Sequence, residues 1–478
     1  MHLAVRLLRS GSVARAPYPP LDGAAEDHEP PLDGAADAHD SPLNGAARAE
    51  DPRPRWIRPE WRRRLAIDSG FALFAALTYF NVSTFGFHVI VSRLLGPARY
   101  GALGAVLVLT SLAGNATGAV STAVTRTVAV RRDGAEWDVA RAQRRGLIAA
   151  FAAFVIVAAL AAPLESYLHL GSPVPVLLLA VMAAAILAGL VPRGVLMGER
   201  RFARVATALT TGVTLKLVAG AMLASSLGVS GAVAAAALGE ALTTLLYIRA
   251  LGRRRGSTPL RVPLRSSSLA TGAYGGFWLL AAADTFFARH LLTATGSGLY
   301  VAASTAGSIA LFLPNNITLT AFPSLAWAAG DGNSPPGTFT RAFIAASTLT
   351  VAAAGVLALL PSLAIAVLFG SSFRSASEIL VLLAVSNGAQ GMVSFLLHHQ
   401  LAHHRLTCLL PWAGLGTLAI VANAAHHSPR QIATEAMSVS LVLMLAMGAA
   451  SLRMVVARRP ADPGPDPMLP LPVGFVTE

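Results

Sequence analysis

Twelve apolar runs of roughly 20 to 27 residues follow one another between Ser69 and Arg453, each long enough to cross a hydrocarbon core as a helix rising about 1.5 Å per residue. No water-soluble core absorbs so many, and the chain reads as an all-α polytopic membrane protein. The runs are 69–91, 101–123, 146–167, 173–192, 205–227, 231–250, 268–291, 298–321, 342–368, 378–400, 406–424 and 432–453. Composition agrees, with 54% of residues hydrophobic, 13% charged and a mean hydropathy of +0.59. A formal charge of +13 would suggest nucleic acid in a soluble chain. Here the arginines sit in short segments between runs, where they set topology and meet lipid headgroups, so no nucleic-acid partner is expected.

With the N-terminus inside, and with the distal tail and Lys216 left out, 27 cationic residues fall on the inner side and five on the outer: Arg93, Arg99, Arg289, Arg374 and Arg430. That alternation supports twelve crossings with both termini cytoplasmic. Lys216 is the only lysine, an arginine-for-lysine bias that suggests a GC-rich bacterium, and hence a bacterial plasma membrane. The expected organisation is a disordered tail over 1–64, a six-helix lobe over 65–251, a basic cytoplasmic linker over 252–266, a second six-helix lobe over 267–453 and a cytoplasmic tail over 454–478. The first tail contains a motif recurring at Pro20, Pro31 and Pro42, too rich in Pro, Gly, Ala and acids to bury a core. Its first residues imitate a signal peptide, but Arg6 and Arg9 interrupt the apolar stretch, and cleavage is not expected.

The two halves resemble each other. Run one ends in VSRLLGPARYGALGAV and run seven in FARHLLTATGSGLYVAAS; GVLMGERRFARVATAL follows run four as FLLHHQLAHHRLTCLL follows run ten. Matching features at the same place in a six-helix order indicate two parallel repeats about an axis along the membrane normal.

Several chemistries are excluded. Lys216 lies in TGVTLKLVAG, outside any phosphate-binding loop, so no ATPase is encoded. Outer loops hold few acids, chiefly near Glu165 and Glu378, and no enzyme or cofactor is expected. Cys408 stands alone, which rules out an intramolecular disulfide or a zinc ribbon. His398, His399, His403 and His404 include the i,i+4 spacing of a metal site; interfacial histidines touching headgroups are preferred, and no metal is assigned.

What remains is an intramembrane ionisable set: His88, Lys216, Glu240, Asp284 and Arg289. Asp284 and Arg289 are five residues apart, about 140° around a helix, so each seeks a partner on another helix or in a water-filled cavity. Either they line a pathway or they form static interhelical ties, with Arg289 also close enough to the outer interface to snorkel. In run eight, Pro314 and Pro323 interrupt the backbone ladder beside Asn315 and Asn316. Run two carries SLAGNATGAVSTAVTR at the matching place.

At VSRLLGPARYGAL, GVLMGERRFARVA, ADTFFARHLL with TGSGLYVAAS, TAFPSLA and LLHHQLAHHR, the chain resembles the polysaccharide-biosynthesis flippases of the O-antigen type. These belong to the multidrug/oligosaccharidyl-lipid/polysaccharide exporter (MOP) superfamily, and the resemblance runs from Trp61 to Arg453. It implies a V-shaped, MATE-like pair of six-helix lobes between which a polyprenyl-diphosphate-linked oligosaccharide passes to the outer leaflet by alternating access. By position, His88, Arg93, Arg126, Lys216 and Arg289 are the candidates for the anionic headgroup and sugars. Asp284 and Glu240 are the candidates for coupling to protons or sodium. Implied partners are the lipid-linked glycan, membrane lipids, and a polymerase or glycosyltransferases. Run eight ends in Phe-Pro-Ser where many relatives have Phe-Pro-Arg, which leaves two alternatives open: an ion-coupled drug or metabolite exporter, and a membrane scaffold that does not transport.

Overall fold

A computed structural model describes residues 70–116, 118–130, 137–252, 258–260, 264–312, 338–403, 405–424 and 428–457. The repeat-bearing tail, the arginines before run one, most of the basic linker, Pro314 to Pro323, His404 and the C-terminal tail beyond Ala457 lie outside these residues.

The described chain is almost wholly helical. Its elements are α1 (Gly70–Ala116), α2 (Gly118–Val130), α3 (Ala140–Ala159), α4 (Ala161–Tyr167), α5 (Val174–Gly198), α6 (Phe202–Leu251) and α7 (Leu264–Leu291). They continue with α8 (Ala294–Gly307), α9 (Thr338–Leu359), α10 (Pro361–Leu368), α11 (Ser377–Ala402), α12 (Leu410–Ala424) and α13 (Pro429–Ala457). Eight described helical stretches are long and apolar enough to cross a membrane, and two of these, within α1 and α6, each hold two of the sequence runs. Both fold back at a single glycine: Gly96 (φ 68°) divides runs one and two, and Gly228 (φ 60°) divides runs five and six. A turn this tight places one residue in the left-handed region, where a Cβ would crowd the following carbonyl. Gly96→Ala, with open space around its Cβ, is therefore expected to lose about 1 kcal/mol through backbone strain alone, read as a drop of a few degrees in the unfolding temperature in detergent.

The N-terminal lobe is built on α6, which packs along both α1 and α5, with α3 and α2 against α5. In the C-terminal lobe α11 is central, packed on α13, α8 and α9, while α12 covers α7. Each lobe has its own apolar core: Leu196, Val205, Leu209 and Tyr247 in the first, Phe277, Leu280, Phe395 and Leu443 in the second. The linker is strapped to the first lobe. Thr258–Pro259 pairs in parallel with Trp137–Asp138, and Leu260 is buried with Val124, Val139 and Val195.

The largest buried cluster belongs to neither lobe. Phe87, Val91, Tyr100 and Leu103 of the first meet Tyr300, Val301, Phe369 and Phe373 of the second, at the arginine-poor end of the bundle, here called outer. Backbones touch there. A Cβ on Gly298 would collide with the Pro97 backbone, and one on Gly101 would stand 2.7 Å from the Gly298 nitrogen. The outer ends of the two lobes are thus closed on each other, and small residues at the crossing of runs two and eight permit it.

Candidate functional site

Asp284, Arg289 and His88 of the intramembrane set are placed by the repeat. Asp284 sits in the outer third of α7, 3% exposed. Its Oδ2 accepts from the Tyr300 hydroxyl at 3.1 Å and its Oδ1 from the Thr285 amide at 2.6 Å. Tyr300 is fully buried on α8. Five residues before Arg93, as Asp284 is before Arg289, His88 holds the equivalent place in run one. Its Nδ1 lies 3.1 Å from the Tyr100 hydroxyl, so each lobe pairs a titratable group with the tyrosine of its next helix. Tyr100 also crosses the seam: its hydroxyl is 3.4 Å from Thr305 Oγ1 of the second lobe, and its ring packs on Phe369 and Phe373 at 5.9 and 5.7 Å.

The two arginines after these groups form reciprocal clasps. Arg289 is 5% exposed; its Nε and Nη2 donate to the carbonyls of Leu168 and His169 at 2.8 Å each, and its Nη1 to Ser297 Oγ at 3.1 Å. Arg93 donates from Nη2 to the carbonyl of Val367. Leu168 and Val367 stand at matching positions, each three residues before a left-handed glycine, Gly171 (φ 72°) and Gly370 (φ 93°). Each arginine thereby holds the outer end of the opposite lobe's third run. Arg289 does not snorkel, because three acceptors replace its water inside the seam. Beside it the His290 ring stacks on Tyr167 at 3.8 Å and lies 5.7 Å from the His169 ring, and His290 Nδ1 is 2.9 Å from the Tyr167 carbonyl.

The remaining candidates lie in the first lobe, away from the clasps. Lys216 is 7% exposed on run five, its Nζ 4.9 Å from the centre of the Phe87 ring, a cation–π contact that offsets part of its burial. It interacts electrostatically with His88 and with Glu240, and Glu240 in turn with Arg193 of α5. Runs five and six approach closely enough for this because Gly212 and Gly239 face each other. Arg126 is exposed on α2. A groove of about 440 Å³ opens between runs one and five, lined by Tyr79, Thr210, Thr211 and Thr214, with the Tyr79 and Thr214 hydroxyls 2.9 Å apart.

The structure thus brings His88 and Lys216 together and links both to the seam. Asp284 pairs within its own lobe and Arg126 lies apart. Tyr100, Tyr300, Thr305 and Arg193 escaped the sequence reading. The tyrosines were visible as the shared aromatic of GPARYGAL and SGLYVAAS, whereas Arg193 was hidden by ending run four at 192. One expectation is corrected: His398 and His399 do not meet headgroups but are 5% and 3% exposed. They are packed against Tyr274 and Phe339, because α11 is the axis of its lobe. Among the described residues no group of His, Cys, Asp and Glu is arranged to hold a metal.

The clasps make a testable tie. Hydrogen bonds to a charged group contribute about 1.5–3 kcal/mol each, so Arg289→Gln, which keeps one amide donor, is expected to loosen the outer seam without unfolding either lobe. Hydrogen exchange should rise at Leu168 and His169 and stay unchanged in α11.

No protein-family model matches the sequence, and no curated protein is similar to it. Solved structures are similar in fold at low identity. An inward-facing multidrug resistance MATE family transporter of the MOP superfamily superposes with a TM-score of 0.66 at 16% identity, covering 79% of this chain and 95% of that one. An outward-facing MATE transporter gives 0.58 at 17% identity, over 84% and 96%. A MOP superfamily transporter from Pyrococcus furiosus, described as having a binding pocket of reverse polarity, gives 0.55 at 16% identity, over 84% and 97%. The chain therefore has the membrane-helical fold of the MATE transporters of the MOP superfamily.

Proposed function

We propose that this protein is an alternating-access flippase that carries a polyprenyl-diphosphate-linked oligosaccharide to the outer leaflet of a bacterial plasma membrane, with both termini cytoplasmic, for cell-surface polysaccharide synthesis. The observation that carries the transport reading is the pair of similar lobes joined at one end by hydrogen bonds and packed rings, with ionisable residues enclosed beside that joint. A rocking pair of lobes must be able to exchange one closed end for the other, and the contacts at this end are the kind such an exchange would break. The substrate class draws support from the sequence resemblance to polysaccharide flippases and from Lys216, an intramembrane cation suited to a diphosphate. The work is conformational and needs no enzymatic step; Asp284 couples it to a proton or sodium gradient. Glycosyltransferases or a polymerase are the partners that would supply and consume such a substrate.

A second reading, an ion-coupled exporter of small molecules, is favoured by one observation. With Arg93 and Arg289 engaged in the clasps, few cations are left for an anionic headgroup. Leaflet translocation in proteoliposomes separates the two. Protein-dependent movement of a lipid-diphosphate-linked oligosaccharide supports the flippase, and efflux of a cationic dye without it supports the exporter. Neither, with a competent substrate panel, leaves a scaffold.

A further inference from the structure

We propose that His88 and Tyr100 form a proton-binding site that reads the state of the outer seam, the counterpart in the first lobe of Asp284 and Tyr300 in the second. The proposal rests on the transporter reading above and adds a second titratable site to it.

The geometry is a hydrogen-bond chain that crosses between lobes. His88 Nδ1 is 3.1 Å from the Tyr100 hydroxyl, and that hydroxyl is 3.4 Å from Thr305 Oγ1 on the opposite lobe. A neutral His88 with its proton on Nε2 accepts from Tyr100, whose oxygen then accepts from Thr305. When His88 takes a proton from outer water onto Nδ1, it becomes the donor. The Tyr100 hydroxyl turns to donate to Thr305; an O–H bond of hydronium breaks as the His88 N–H forms, and no other covalent bond changes. The chain survives both states, so the proton does not by itself sever the seam.

What changes is the charge beside it. Lys216 is the charged residue that acts on His88 from the elements packed around it, and it is held over Phe87, the residue preceding His88. A protonated His88 places a second cation next to Lys216 in a dry interface where like charges repel strongly. Parting the seam admits water that screens the pair, and an anionic group on Lys216 would relieve it from the other side. Proton uptake at His88 therefore favours opening outward.

A cysteine in the seam reports this directly. Val301, 3% exposed and packed against Gly104 of the other lobe, is replaced by cysteine in a chain whose only native thiol is removed by Cys408→Ala. The other two seam imidazoles are neutralised by His169→Asn, which suits the left-handed backbone at 169 (φ 50°), and by His290→Gln, and the carboxylate of the second lobe by Asp284→Asn. In proteoliposomes a membrane-impermeant maleimide is added from outside. Divided at each pH by the rate at an exposed cysteine, Ser371→Cys, which carries the loss of thiolate at low pH, the labelling rate is expected to rise about tenfold as outer pH falls from about 8 to about 5, the span over which an imidazole titrates. His88→Gln, which can still bond Tyr100, should abolish that dependence while keeping the rate seen at high pH. Tyr100→Phe should raise labelling at every pH by cutting the bridge to Thr305. An unchanged pH dependence in His88→Gln overturns the proposal and leaves the transporter reading standing. A seam that never labels in any variant at any pH overturns both.

Discussion

Asp284→Asn is expected to reduce gradient-driven translocation about 100-fold, a loss of roughly 2.7 kcal/mol at 1.36 kcal/mol per decade, while the protein inserts and folds normally. The two outcomes separate because the substitution changes charge and little else. The carboxylate is buried and accepts one hydrogen bond from Tyr300 and one from the Thr285 amide. An asparagine oxygen can keep the amide bond, and the Tyr300 hydroxyl can rotate to accept from the new NH₂ group. What asparagine cannot do is exchange a proton or balance a cation, which is why an intramembrane carboxylate is retained despite its cost. Unfolding temperature should move by no more than a few degrees. Normal flux from a folded Asp284→Asn protein would remove the coupling role from this residue.

Gly298→Val is expected to have the second large effect, in the opposite part of the cycle. The backbone of run eight lies directly on Pro97 at this glycine, with no flexible side chain between them to give way. A valine there cannot be accommodated by a rotamer change, so the lobes must part at the outer end. Each lobe keeps its own core, and the protein should remain folded but lose the closed outer state and, with it, transport. Spin labels at Arg99 and Ser371, both exposed at the outer end, should move apart by several ångströms relative to the unmodified glycine. An unaltered distance distribution would mean that the close approach at Gly298 is not what sets the closure.

The helical, membrane-spanning character and the order of the apolar runs were legible because a bilayer imposes a length and a polarity on every crossing helix. The apolar runs appear as helices, with run eight described as far as Phe312. The repeat was legible too, in the arginine, turn and glycine that follow runs one and seven. The loops were less so. The gaps between runs one and two, 92–100, and between runs five and six, 228–230, suggest loops, yet Gly96 and Gly228 each reverse the chain in a single residue, which apolar periodicity cannot signal. The part of α11 bearing His398 and His399 looked interfacial because polarity near a helix end suggests water. Packing around the central helix of a lobe decided otherwise.

The candidate site divides in the same way. Sequence marked His88, Lys216, Glu240, Asp284 and Arg289 as costly to bury, and burial cost is a property of the residue and its span. The partners that meet that cost come from distant parts of the chain. Arg289 reaches carbonyls 121 and 120 residues away, and Arg93 one 274 residues away. Backbone carbonyls carry no residue identity, so no pattern of letters marks Leu168, His169 or Val367 as acceptors.

From its sequence alone, this protein was determined to be a two-repeat helical membrane protein with a few charged residues inside it, because hydrophobic length and arginine placement act locally along the chain. Only the tertiary structure decided that the repeats close on each other at one end, that two arginines fasten that end in reciprocal fashion, and that His88 and Asp284 occupy matching places beside it. Those contacts depend on how the two lobes approach in space, and that approach is fixed by small residues at a crossing between runs nearly 200 positions apart.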